Sequence, residues 1–226
     1  MKFDYFLFAS FKFPVSIFTF LFSFHFSLFT IHFSTMLQKV IFLDRDGVIN
    51  RDSSNYVKSW SEFVFLPGSK AALKQLTLNG FTLFIITNQS IINRRMVPMS
   101  VVNAIHTRMK TCIEAEGGTI RDIFLCPHTP EENCECRKPK PGLIHKAQKA
   151  YGIDLKTAFM VGDSAKDIEC GKNAGCRFNL LVKTGSGMTA QKTLRENNLK
   201  PDHIAKDLNT AARWIIATYN TMNPSI

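Results

Sequence analysis

Along this chain the apolar residues come in short unbroken blocks, separated by longer stretches in which they recur every three or four positions. VIFL at Val40–Leu43, FTLFIIT at Phe81–Thr87, the run Ile123–Cys126, AFMVG at Ala158–Gly162 and NLLV at Asn179–Val182 are short and rich in bulky aliphatic and aromatic residues. Such blocks read as strands covered on both faces. The intervening stretches read as amphipathic helices. One spans Ser69–Asn79, with Gly80 suited to its C-terminal cap. The next runs from Ser100, taken as the N-cap, to Glu116, where Gly117 closes it. A third covers Pro141–Tyr151 with proline in its first turn, a fourth Lys166–Asn173, and a last Asp207–Tyr219. Strand and helix alternate throughout, which predicts an α/β domain: a doubly wound, Rossmann-like parallel sheet with its chemistry at the carboxyl ends of the strands.

The first 35 residues do not fit this rhythm. From Phe13 to Gln38 there is no Asp, Glu, Lys or Arg, a length that can span a bilayer. However, phenylalanine recurs at nearly every second position from Phe18 to Phe26, which makes no helical face. The first core strand also begins almost at once, near Lys39. Met36 offers a start just before that strand. The expectation is therefore a Phe-rich N-terminal extension, residues 1–35, outside the working fold, and a single domain over residues 36–226. A membrane anchor or signal segment is the alternative reading.

The formal net charge is +10, which suits an anionic partner. Lys and Arg are scattered, with no run of five, and no nucleic-acid-binding motif is present. A small anionic substrate is expected rather than a nucleic acid.

The strand ends carry the chemistry. VIFL runs into Asp44 and Asp46, FTLFII ends in Thr87 and Asn88, and AFMVG ends in Asp163, followed by Asp167; Arg137 and Lys138 precede that last strand. Two carboxylates two residues apart repel unless a cation lies between them. Carboxylates converging from separate strands make a hard-oxygen site suited to Mg²⁺. Elsewhere, CPHTPEENCECRKPKPG places Cys126, His128, Cys134 and Cys136 in a C-x-H-x5-C-x-C pattern, a closed four-ligand set for structural Zn²⁺. Cys112, Cys170 and Cys176 stand singly and read as small packing residues.

DRDG, TNQS, RKP and GDSAKD, in that order, resemble the four motifs of the haloacid dehalogenase superfamily of phosphohydrolases, over nearly all of residues 38–218. The resemblance implies that Asp44 is the nucleophile, forming an aspartyl-phosphate. Asp46 would be the general acid and then the base, Thr87 a donor to a phosphoryl oxygen, and Lys138 the neutralising cation. Asp44, Asp163 and the backbone carbonyl of Asp46 would hold Mg²⁺.

The cysteine–histidine loop followed by CRKP marks the subfamily that contains heptose-bisphosphate phosphatases and histidinol-phosphatases. Only 40 residues lie between Asp46 and Thr87, and 49 between Asn88 and Lys138, so no large cap domain is expected. Among these relatives, DSSNYVKS and TNQS resemble the heptose enzyme's substrate loops. Carried over, Asp52, Ser53, Ser54 and Asn55, with Asn88, Gln89 and Ser90, would contact sugar hydroxyls, and Arg137 a phosphate. Lys58, Arg94 and Arg95 are further cations for a second phosphate. One departure stands out: the glycines usual after TNQS are replaced here by Ile91-Ile92-Asn93-Arg94-Arg95.

The implied function is removal of the 7-phosphate of a heptose 1,7-bisphosphate during synthesis of nucleotide-activated heptose for lipopolysaccharide. The implied enzyme is cytoplasmic and monomeric. Histidinol phosphate is the alternative substrate, and a phosphoaspartate receiver-like module the non-enzymatic alternative.

Overall fold

The computed structural model describes residues 38–223; the expectation for residues 1–35 lies outside them. Six parallel strands form one sheet: β1 (Val40–Leu43), β2 (Thr82–Asn88), β3 (Asp122–Cys126), β4 (Phe159–Gly162), β5 (Phe178–Val182) and β6 (His203–Ala205), in the order β3-β2-β1-β4-β5-β6. Crossover helices join them: α1 (Ser69–Leu78), α2 (Met99–Glu114), α3 (Gly142–Tyr151), α4 (Ala165–Ala174), α5 (Gly187–Glu196) and α6 (Leu208–Met222). This is the doubly wound sheet the apolar blocks predict, without a large cap among the described residues. The strand order reverses between β1 and β4, so the chain leaves their carboxyl ends in opposite directions and opens a crevice there.

Residues of β1 alternate between two cores. Ile41 and Leu43 face one layer, with α1, α2 and α6, through Leu73, Leu76, Ile105, Met109 and Ile215. Val40 and Phe42 face the other, with α3 and α4, through Leu143, Ile144, Ala147 and Cys170. All four are buried, as a strand sandwiched between helices requires.

The start of α2 and two whole elements differ from expectation. The cap of α2 is Pro98, not Ser100, which lies inside the first turn; Pro98 takes extended backbone angles there, and no side-chain cap hydrogen bond is made. Asp207 is the N-cap of α6, its carboxylate accepting from the Thr210 backbone N–H at 2.8 Å. Helix α5 and strand β6 have no counterpart in the apolar pattern. The buried face of α5 is only Gly187, Ala190 and Leu194, and β6 is three residues long.

Two leucines on α1 provide a test. Leu76 is fully buried and Leu78 is 72% exposed. Leu76→Ala is expected to cost about 2–5 kcal/mol, and Leu78→Ala no more than about 0.5 kcal/mol. Denaturant unfolding of the two variants measures the contrast.

Candidate active site

The crevice beyond β1 and β4 is a cleft of about 560 Å³, lined by Asp44, Asp46, Thr87, Asn88, Arg137, Lys138 and Asp163 among others. Asp44 leaves β1 with its side chain 13% exposed and pairs with Lys138 at 2.8 Å. The same Lys138 Nζ pairs with Asp167 at 2.6 Å. Lys138 itself is 3% exposed and Asp167 fully buried. Burial alone would lower the Lys138 pKa, but Asp167 and Asp44 raise it, so the ammonium stays charged.

The surroundings fix this lysine at both ends. Its backbone N–H donates to Asn88 Oδ1 at 3.1 Å, and its carbonyl accepts from Asn88 Nδ2 at 3.2 Å. Asp167 closes the first turn of α4: its Oδ2 accepts from the Ser164 backbone N–H at 2.9 Å and from the Ser164 hydroxyl at 2.6 Å.

Asp163 stands across the cleft, with Oδ2 accepting from the Ser186 backbone N–H at 2.7 Å. Gly47, at φ 78°, packs so closely on this carboxylate that any β-carbon there would collide with it. The glycine of DRDG is thus required both by a left-handed backbone and by close approach.

The donor set fits a divalent cation. Asp44, Asp163 and Asp167 each place a carboxylate oxygen within 4.8 Å of the others. Against these three acids stands one lysine. Burial, with the help of Asp167 and Asp46, pushes Asp44 up to about 7 against the pull of Lys138. Burial, then Asp44 and Asp167, push Asp163 up to about 8. Negative charge accumulates here beyond what Lys138 balances, which is the setting for a hard cation with oxygen ligands.

Asp46 is in a different state. It accepts from Arg45 Nη2 at 2.7 and 2.8 Å, from Asn50 Nδ2 at 2.8 Å and from Gln89 Nε2 at 2.9 Å. Burial would raise its pKa, but the Arg45 charge and these hydrogen bonds outweigh that and hold it below the usual carboxylate value. Arg45 is 1% exposed, and its Nη1 lies 3.1 Å from His106 Nε2 on α2.

Of the expected sugar contacts, Asp52, Ser53, Asn88 and Gln89 line the cleft. Ser54, Asn55 and Ser90 are not among its lining residues, and neither are Lys58, Arg94 and Arg95. Asn88 and Gln89 have prior engagements, Asn88 with the Lys138 backbone and Gln89 with Asp46 and with Thr87 Oγ1 at 2.9 Å. Arg137 reaches the cleft while its Nη1 donates to the His128 carbonyl at 2.9 Å.

Lining residues that the sequence pattern did not single out include Tyr56, Lys166, Ser186, Thr189 and Thr193. The last three lie on or next to α5, the helix that has no apolar signature. Arg45 and His106 were also missed. An arginine between two aspartates in a buried turn is a legible sign of a paired charge; nothing in the sequence around His106 marks its partner.

Beside the cleft, Cys126, His128, Cys134 and Cys136 converge. Their sulfurs are 3.2–3.5 Å apart, and His128 Nδ1 is 3.5 Å from Cys126 Sγ and 3.3 Å from Cys136 Sγ. All three cysteines are free thiols. A tetrahedron with Zn–S bonds of about 2.3 Å has edges of roughly 3.8 Å, so the set fits zinc far better than a disulfide.

Fold and site together define the class: a haloacid dehalogenase-type hydrolase domain, with its carboxylates at the ends of β1 and β4. The HAD-hydrolase-like family model matches residues 135–211. Over 178 residues, 79% of this chain and 99% of the relative, the sequence is 41% identical to the D-glycero-beta-D-manno-heptose-1,7-bisphosphate 7-phosphatase of Pseudomonas putida. The crystal structure of D,D-heptose 1,7-bisphosphate phosphatase from B. bronchiseptica, complexed with magnesium and phosphate, is similar at a TM-score of 0.75 and 39% identity, covering 80% of this chain and 99% of that one. The corresponding enzyme from Burkholderia thailandensis gives a TM-score of 0.61 at 32% identity, with 80% and 99% coverage. The chain belongs to the family of the heptose-1,7-bisphosphate 7-phosphatases.

The buried His106 sets a pH dependence. Burial and then the Arg45 charge lower its pKa to about 3, against about 6.5 in an unfolded chain. Below about pH 6.5 the unfolded state gains a proton that the native state refuses. This residue's share of stability is therefore complete above that pH and is lost as the pH falls, at up to about 1.4 kcal/mol per pH unit. Replacing it, His106→Gln, is expected to flatten the fall in stability between about pH 6.5 and 4. Denaturant midpoints across that range test this; an unchanged slope would contradict it.

Proposed function

We propose that this protein removes the 7-phosphate of D-glycero-D-manno-heptose 1,7-bisphosphate, with Asp44 as the nucleophile. The observation that carries the mechanism is that Asp44 lines the cleft, paired to buried Lys138 and two residues from Asp46. An Asp44 oxygen attacks phosphorus, and the bond from phosphorus to the C7 oxygen breaks. Asp46, protonated by the water step of the preceding turnover, gives that proton to the departing oxygen, which leaves as the alcohol. Asp46, now ionised, takes a proton from water; the water oxygen attacks phosphorus, and inorganic phosphate leaves as the Asp44 carboxylate is restored. Thr87, near the end of the neighbouring strand β2 and on the same cleft, donates to a phosphoryl oxygen. Lys138 neutralises the nucleophile before attack and the phosphoryl charge during it.

Asp44, Asp163 and the backbone carbonyl of Asp46 are the residues that would hold Mg²⁺. When bound, the ion stabilises negative charge on the transferring phosphoryl group. Cys126, His128, Cys134 and Cys136 would hold Zn²⁺ in a structural role. Arg137 follows the last zinc ligand directly and lines the cleft with Lys166, two cations available to the phosphate that is kept. Asp52 and Ser53 sit on the same cleft for sugar hydroxyls.

The bisphosphate reading rests on these cations and on the names of the relatives. A working site in the cytoplasm follows from a nucleotide-sugar precursor as substrate. Among the described residues, no helix is long and apolar enough to cross a membrane.

Asp44→Asn is expected to reduce phosphate release at least about a thousandfold, since a covalent nucleophile has no local substitute; retention of a tenth of the activity would exclude the covalent route. The intact enzyme should show a higher kcat/KM for heptose 1,7-bisphosphate than for histidinol phosphate, and the reverse order would reassign the substrate while leaving the reaction. Cys134→Ala should lose bound zinc and melt at least about 4 °C lower, the shift for roughly 2 kcal/mol in a domain this size. Elemental analysis with thermal melts measures both; freshly purified wild-type protein without zinc would remove the claim.

A further inference from the structure

A neutral histidine lies behind the acid–base aspartate. His106 occupies the buried face of α2 with Val102, Ile105, Met109 and Ile113 and is 6% exposed. An apolar side chain would pack in that row at no polar cost. Instead an imidazole sits there with Nε2 3.1 Å from Arg45 Nη1. A guanidinium has donors only, so Nε2 is the acceptor and the ring proton is on Nδ1.

Arg45 is the connection. Its Nε and Nη2 donate to Asp46 Oδ1 at 3.2 and 2.7 Å, and Nη2 also reaches Oδ2 at 2.8 Å. The guanidinium is a rigid plane, so anchoring Nη1 fixes the direction in which Nε and Nη2 point. That direction orients the Asp46 carboxylate relative to the cleft. Acid–base groups must be held within about 0.5 Å and 10–20° of their productive geometry, and a buried arginine gripped at one edge only can rotate.

We propose that His106 is a positioning residue for Asp46, acting through Arg45. Its hydrogen-bond partner is Arg45, and it has no role in the steps given above. The proposal rests on the reading of Asp46 as the proton donor to the leaving oxygen. It therefore predicts a loss that depends on how much the leaving group needs that proton. A sugar or glycerol alkoxide needs it; p-nitrophenolate is a stable anion and does not. The comparison belongs to kcat/KM, which reports the steps through departure of the alcohol and excludes the later attack of water.

With full-length protein, His106→Leu should lower kcat/KM for glycerol phosphate about tenfold, a fraction of the 10²–10⁴ that acid–base catalysis supplies. For p-nitrophenyl phosphate the loss should stay below about threefold. His106→Gln, whose amide oxygen can accept from Arg45, should recover most of the alkyl-to-aryl ratio. If His106→Leu does not yield folded protein, His106→Asn takes its place, being too short to reach Arg45. Equal losses on both substrates, no loss on either, or a failure of glutamine to restore the ratio would overturn the proposal. Asp46→Asn is measured alongside. If it shows the alkyl bias and the His106 variants do not, only the role of His106 fails. If Asp46→Asn shows no bias, the reading of Asp46 as the acid fails and the proposal falls with it.

Discussion

Lys138 is a charged ammonium, 3% exposed, held between Asp44 at 2.8 Å and Asp167 at 2.6 Å. Charges this deep are tolerated only when paired, and removing one partner of a buried pair costs about 3–5 kcal/mol. The triad therefore constrains everything that supplies it. Asp44 must come from the end of β1 and Asp167 from the first turn of α4, and the loop before α3 must bring Lys138 between them. These three segments are remote in sequence. Only the β1–β4 adjacency, where the sheet reverses its order, brings them together.

The loop that carries Lys138 shows how that placement is secured. It leaves β3 at Cys126, turns through the cysteine–histidine cluster and reaches Arg137 and Lys138 directly after Cys136. Arg137 ties back to the His128 carbonyl at 2.9 Å, and Asn88 clamps the backbone of Lys138 on both sides. The loop has little apolar content, so it cannot hold itself by burial. What it has instead is the gathered Cys126, His128, Cys134 and Cys136 at its root and the Asn88 amide clamp at its tip. The end point of this loop is the lysine that pairs with Asp44 at 2.8 Å.

Asp44 and Asp46, with one residue between them, are shifted in opposite directions. Asp44 is driven up toward neutrality by burial and neighbouring acids, whereas Asp46 is held ionised by Arg45, Asn50 and Gln89. Protonating Asp46 would weaken the grip of Arg45, so the guanidinium favours the ionised carboxylate.

Five of the six strands and most helices were legible along the chain, because burial on both faces imposes unbroken apolar runs and helices repeat every three or four positions. The gathering of the main acids, Thr87 and Lys138 on one cleft, and of the three cysteines with His128 beside it, was legible too, because these residues follow strand ends or crowd polar residues that cannot pack. Helix α5 escaped notice because its buried face is a glycine, an alanine and one leucine. Its Thr189 and Thr193 on the cleft escaped with it. Asn88 and Gln89 were visible as polar residues at a strand end, but their engagement with Lys138 and Asp46 depends on a loop 50 residues away and a turn 43 residues away. The pairing of His106 with Arg45 spans 61 residues. Local order is written in the period of burial, which neighbours in sequence share. The partner of a buried polar group is chosen by which elements the sheet sets side by side, and that is decided only when the chain has folded.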